Sequence, residues 1–359
     1  MICSMGTRTY SFIILLVITL LGGCAELQYY GHAVSGQLEV LEKRRPIPEV
    51  IADPATTSDV KQRLEYIEQA HAFAIKELYL PDSDSFRSYS DVERQYVLWN
   101  VFATPELSLQ TKQWCYPVLG CLGYRSYFNE AYAQTVAKQL VTEGWDVHIA
   151  RSPAYSTRGF FADPVYNPML RYPELDIAAI LFHELAHEKI YMQNDSQANE
   201  SFAVAVQFEG IRRWLDHKNQ PGRYARYKIS ERRDEEFVAL LNQYRGELDA
   251  LYRTNKSDVE KRKEKLRIFA ELKTSYESLR QSWEGYAGYD HWFTKPLNNA
   301  VLAPVGTYHG DVEAFEQLLH EKNNNLQQFY REAQRLSELS MHERRKALQV
   351  LHRRYRDRN

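Results

Sequence analysis

Between Ile177 and Ala186 every residue is apolar except His183 and Glu184, and a second histidine, His187, follows at once. A helix built from this run is apolar on nearly every face, so it has to be buried. Residues four apart on a helix differ by about 40° in direction and one turn in height, so both imidazoles can reach one point. Burying two histidines and a carboxylate is costly unless something compensates them, and a metal ion does. The pentapeptide His183-Glu184-Leu185-Ala186-His187 is an H-E-x-x-H pattern, in which the histidines ligate zinc and the glutamate reaches a water beside the metal. His183 and His187 are therefore candidate metal ligands, zinc is the expected ion, and Glu184 is the candidate general base. Pro173 suits the first helical position, and Glu174 and Asp176 favour the positive end of the helix dipole. The helix is expected to run to about Met192, with a turn at Asn194-Asp195-Ser196 and a second helix over 197–216.

Catalytic zinc usually takes three protein ligands, so one is still to be found. Downstream, Asp195, Glu200, Glu209 and His217 are the candidates. Glu200 stands in Asn199-Glu200-Ser201-Phe202-Ala203, at the start of the second helix, whose faces pack through Phe202, Val206, Ile211 and Trp214. Twelve residues separate His187 from Glu200, ample for the chain to turn back.

The first 23 residues read as a targeting segment. Arg8 supplies a basic region, and Phe12 to Leu21 is an apolar run of ten residues, too short to span a bilayer. Leu21-Gly22-Gly23-Cys24 resembles the lipobox of bacterial lipoproteins, which implies cleavage before Cys24 and lipid on its sulfur. An Ala at position 25 resembles proteins sorted to the outer membrane, facing the periplasm. Residues 25–43 look helical, and Pro46, Pro48 and Pro54 then break the chain, so 24–57 is expected to be a lipidated tether. Cys3 leaves with the signal segment, and Cys115 and Cys121 remain in an oxidising compartment. With Pro117 and Gly120 to turn the chain between them, a disulfide is expected; a structural zinc is the rival reading.

The rest of the chain is expected to be one domain, 58–359, of α+β class but predominantly helical. Ser58 to Tyr79 has the helical period through Val60, Leu64, Ile67 and Ile75. Tyr96 to Phe102 and Val147 to Ile149 are β-rich, and Tyr127 to Thr142 reads as a helix closed by Gly144. Ala154 to Val165, aromatic and β-branched, reads as an extended edge. Residues 230–283 form an antiparallel helical hairpin. Its apolar series is Phe237, Leu241, Tyr244, Leu248 and Leu251, then Val259, Leu266, Phe269, Tyr276, Leu279 and Trp283. Ser257 and Glu260 make a capping box at the restart. The hairpin is densely charged outside and is the candidate surface for a protein partner. A final helix pair fills 311–356. A net charge of −2 creates no field that would draw nucleic acid.

The motif helix with Asn199 to Ala203 resembles the gluzincin metallopeptidases. In their aminopeptidase branch an Asn-Glu-Gly-Phe-Ala-like motif supplies the third zinc ligand, which implies that role for Glu200, with Ser201 in the glycine position. A broader resemblance runs through Trp114 to Phe128, Ala154 to Pro164, Asn298-Asn299-Ala300 and Thr307-Tyr308. These segments are similar to a family of bacterial predicted aminopeptidases, many of them lipoproteins. The resemblance implies a zincin-like catalytic core and a peptide substrate lying along the strand at Ala154, Tyr155 and Ser156. It also implies Tyr308 as donor to the developing oxyanion. The larger aminopeptidases' Gly-rich Met-Glu-Asn motif is absent.

The residues thus point to a lipid-anchored zinc peptidase of the cell envelope. Two alternatives use the same residues: a zinc hydrolase of another amide or ester, and a lipoprotein scaffold with a non-catalytic metal. Glu184 disfavours the scaffold, since a structural site needs no base and is normally closed by four protein ligands.

Overall fold

The computed structural model describes residues 26–116, 120–154, 162–305 and 310–358. Cys24, Tyr155, Ser156 and Tyr308 lie outside the described residues, as does the whole 1–23 segment. The described chain is predominantly helical with three small sheets, in keeping with the α+β class expected.

A helix over 26–42 (α1) leads into strand β1 (Arg44–Pro46) and helix α2 (Ile47–Ala52). Within the 24–57 stretch, the described residues pack against the domain through Val40, Ile47, Val50 and β1. Proline is tolerated in the first turn of a helix, so Pro48 opens α2 instead of breaking the chain. Ile47 and Val50 are buried in the main core, and β1 pairs antiparallel with β2 (Ser88–Ser90). Helix α3 (Ser58–Leu78) follows, burying Leu64, Ile67, Phe73 and Leu78.

The principal sheet is antiparallel, with β3 (Leu98–Pro105) between β6 (Arg125–Tyr127) and β7 (Trp145–Ser152). A short ribbon of β4 (Trp114–Tyr116) and β5 (Gly120–Leu122) sets Cys115 opposite Cys121, and the two are joined by a disulfide. Helix α4 (Glu130–Thr142) begins three residues later than the sequence suggests. Tyr127 is held in the sheet opposite Trp99, and Asn129 supplies the cap by accepting from the Tyr132 amide. Strand β7 ends at Ser152, so Ala154 lies just beyond it, half-buried, and the two-residue β8 (Val165–Tyr166) pairs parallel with β2.

Two core helices carry the site. Helix α5 (Glu174–Lys189) buries Ile177, Leu181, Phe182 and Leu185, and helix α6 (Ser196–His217) packs against it. Close approach depends on Gly210: a Cβ there would lie 2.8 Å from the Phe182 ring and 2.9 Å from Leu78 Cδ1. Pro173 sits one position before α5, and the helix stops at Lys189, short of Met192.

Helices α7 (Arg223–Tyr252) and α8 (Asp258–Ser282) form the antiparallel hairpin, with the Ser257–Glu260 capping box at its restart. Its α8 stripe differs from the expected one. Val259 and Leu266 point outward, 74% and 70% exposed, and Ile268 and Leu272 fill the seam instead. The hairpin is fastened to the sheet by polar contacts. Lys265 Nζ reaches Asp146 at 2.6 Å, and Asn299 Nδ2 bonds the carbonyls of Pro105, Glu106 and Ser108. Tyr252 donates to Asn299 Oδ1 at 2.8 Å.

The C-terminal region holds three helices, not two: α9 (Val312–Glu321), α10 (Leu326–Glu338) and α11 (Met341–Arg358). Asn323 and Asn324, at φ 53° and 57°, turn the chain between α9 and α10, and the Asn325 side chain caps the next helix. Phe202 of α6 packs between Phe315 and Phe329 of this layer.

Candidate metal centre

His183 and His187 share one face of α5, as their spacing requires, and the first turn of α6 brings Glu200 to them. His183 Nε2 lies 3.2 Å from Glu200 Oε2 and 3.1 Å from His187 Nε2, and His187 Nε2 is 3.6 Å from the same oxygen. Ligand atoms of the three residues all lie within 4.8 Å of one another, a group that could hold a metal ion. The two imidazoles hold the Glu200 carboxyl far below the ordinary carboxylate range. Three acceptor-bearing groups converging this closely suit a cation: two facing imidazole nitrogens can share at most one proton, whereas a metal takes a lone pair from each.

The other candidates for a third ligand are occupied elsewhere. Asp195 caps α6 by accepting from the Ala198 amide, and it pairs with Arg345 and, at 3.1 Å, with the buried Arg344. Glu209 accepts from Arg212 at 2.8 Å and from Arg213 at 2.6 Å. His217 stacks on Trp214.

The placement of Glu200 is set by its neighbours. Asn199 is buried, and its side-chain amide accepts from the Met192 amide at 2.6 Å and donates to the Met192 carbonyl at 2.7 Å. That pair of bonds ties the α5–α6 connection to the first turn of α6. Asn194, at φ 59°, makes the turn itself. Ser201 is fully buried and its hydroxyl accepts from the Asp311 amide. The match of residues 199–203 to a motif thus has a local cause: one residue secures the loop, the next faces the histidines, and Ser201, Phe202 and Ala203 enter the core.

Glu184 lies beside the cluster, half-buried, and burial pushes its carboxyl up. A cavity of about 280 Å³ opens beside it, lined by Asp176, Ala179, Ile180, His183, Glu184, Gln207 and Glu231. On the far side of His183, Nδ1 is 3.1 Å from Gln207 Oε1. Gln207 Nε2 in turn donates to the Tyr227 hydroxyl at 2.6 Å, and Tyr227 bonds the Glu231 carboxylate.

The sequence pattern of the family described as "Putative aminopeptidase" matches residues 28–348. The chain belongs to that family. The match runs from α1 into α11, so this aminopeptidase-family segment contains the three-residue cluster, the hairpin and the disulfide ribbon. No curated protein and no solved structure matches the chain.

Gln207, Tyr227 and Glu231 were not singled out from the sequence. The expected hairpin began at 230, whereas α7 starts at Arg223, and its added turns carry Tyr227 to Gln207, behind His183. A tyrosine and a glutamate four apart in a densely charged helix look solvated until the fold buries them. Asn298-Asn299-Ala300, part of the family resemblance, serves the hairpin joint through Asn299, far in sequence from the histidines.

Proposed function

We propose that the protein is a zinc-dependent peptidase of gluzincin type, acting as an aminopeptidase and held at the outer membrane by lipid on Cys24. The family supports peptidase activity. The observation that supports the zinc chemistry is the meeting of His183 and His187 of the buried helix α5 with Glu200 of α6, beside Glu184; the lipid anchor rests on the Leu21–Cys24 sequence alone. Two imidazoles and one carboxylate are the donor set of catalytic zinc sites, which keep a position open for water or substrate.

His183, His187 and Glu200 would hold the ion. When bound, zinc would acidify a water and polarise the scissile carbonyl. Glu184 takes the proton from the attacking water and passes it to the departing amine, so the peptide bond is exchanged for a carboxylate and a free amine. A carboxyl whose affinity for protons is raised by burial suits a group that must both accept and release one. The cavity beside Glu184 gives a side chain of the substrate room. Tyr308 is proposed as oxyanion donor, and Ala154, Tyr155 and Ser156 as the backbone edge along which the peptide lies.

Metal analysis of purified protein, followed by digestion of a peptide library with and without chelator, tests this reading. It expects about one equivalent of zinc and single residues released from peptide N-termini, lost on chelation and restored by zinc. Protein that takes up no metal, or cleavage that survives full chelation, would contradict it.

A further inference from the structure

Helix α1 has two apolar faces, and among the described residues one is packed into the domain while the other is largely exposed, touched at Tyr30 by the Tyr116 ring. Tyr29 and Val40 are buried, Ala33 packs against the sheet cluster, and Gly36 lies so close to the Phe128 ring that a Cβ would stand 2.3 Å from it. On the other side, Leu27, Tyr30, Val34 and Leu38 are 74%, 40%, 58% and 50% exposed. Their spacings of three, four and four make one stripe, roughly 16 Å long at the rise of a helix. Two of the acidic residues of α1 are held elsewhere, Glu26 by Arg125 and Glu39 by Arg94 and Lys43, and the exposed Glu42 closes the far end of the stripe. Soluble domains scatter exposed apolar residues singly, and a continuous stripe marks a surface with a partner.

The position of the stripe in the chain says what covers it. Leu27 is three residues after Cys24, so lipid on that sulfur would keep the bilayer surface within about 10 Å of the start of the helix. Among the described residues no helix is long and apolar enough to cross a membrane. Helix α1 is also docked to the domain, with β1 and α2 continuing directly from it into the core. We infer that α1 lies in the plane of the membrane interface, its Leu27–Tyr30–Val34–Leu38 stripe facing the boundary between headgroups and acyl chains. This rests on the lipid-anchor part of the proposed function. The acyl chains then supply the affinity and the stripe supplies orientation: the domain sits on the bilayer in one pose instead of tumbling on a leash.

Spin labels test this in the mature, membrane-processed protein reconstituted into phosphatidylethanolamine–phosphatidylglycerol vesicles. The background is clean, because Cys115 and Cys121 are paired, Cys24 is acylated and Cys3 departs with the leader. Labels at Val34→Cys and Leu38→Cys should collide several-fold more with lipid-soluble oxygen than with a water-soluble nickel chelate. A label at Lys263→Cys, on the exposed side of the hairpin, should show the reverse. Labels at 34 and 38 as open to nickel as the one at 263 would overturn the inference. So would strong spin–spin broadening at 34, which would mean that a second copy covers the stripe. Mass spectrometry of the N-terminus separates the two levels: unmodified Cys24 removes the anchor and this inference together, whereas lipidated Cys24 with wet labels removes the inference alone.

Discussion

Gln207 Oε1 lies 3.1 Å from His183 Nδ1, and the direction of that hydrogen bond is fixed from its far end. When Glu231 is ionised its carboxylate accepts from the Tyr227 hydroxyl, and Tyr227 in turn accepts from Gln207 Nε2. The amide oxygen of Gln207 therefore faces His183 and takes the proton on Nδ1. With the proton on Nδ1, Nε2 would be left to offer its lone pair to a cation held together with Glu200 and His187. Partners behind a metal-bound histidine set its tautomer and orientation in this way.

Replacing Gln207 by Leu keeps the bulk and removes the acceptor. Zinc affinity, read by chelator competition, should fall on the order of 10–100-fold. Gln207→Glu restores an acceptor and should recover affinity to within about threefold of the parent. If Gln207 served only as packing, Gln207→Leu would bind zinc like the parent.

Burial, with Asp234 and Asp176 nearby, pushes Glu231 up to about 7 from the ordinary glutamate value of 4.5. The folded chain thus binds this proton more tightly than the unfolded one. Its contribution to stability is full below about pH 4.5 and is lost as pH rises through about 7; a shift of this size is worth about 3 kcal/mol at most. Glu231→Gln carries no charge to desolvate. In zinc-free protein, the stability of the variant relative to the parent should therefore rise between pH 4.5 and 8 in urea titrations. A difference that stays flat over that window would show that Glu231 does not titrate as described.

Asn199→Ala leaves the Met192 amide and carbonyl without their partners. The expected cost is about 2 kcal/mol in urea unfolding. Zinc binding should also weaken, because Glu200 loses the anchor of its turn. Stability lost with zinc affinity unchanged would mean that Glu200 is placed by the helix alone.

The grouping of the two histidines, the place of Glu184 beside them and the second helix were legible because their signals are local: a helical period, a four-residue spacing and a motif at a helix start. The hairpin was legible for the same reason, through its apolar stripe and capping box. What escaped depends on contacts between distant segments. Val259 and Leu266 fit the period of α8, but the seam runs along Phe269, Leu272 and Tyr276, and no sequence pattern says which side the partner helix takes. Prolines 46 and 48 read as a break because a docking surface for Ile47 and Val50 exists only once α3 and the β1–β2 pair are in place. Gln207 and Tyr227 meet because α6 and α7 pack together, which neither helix announces alone.

Two isosteric substitutions, Glu184→Gln and Glu200→Gln, measured together for zinc content and peptide turnover, test the central claim most directly. Glu200→Gln removes a charged ligand, so zinc binding should weaken strongly. Glu184→Gln should keep its zinc and lose turnover, since only the proton transfer is removed. Zinc held as tightly by Glu200→Gln as by the parent, or full peptide turnover by Glu184→Gln, would contradict the account.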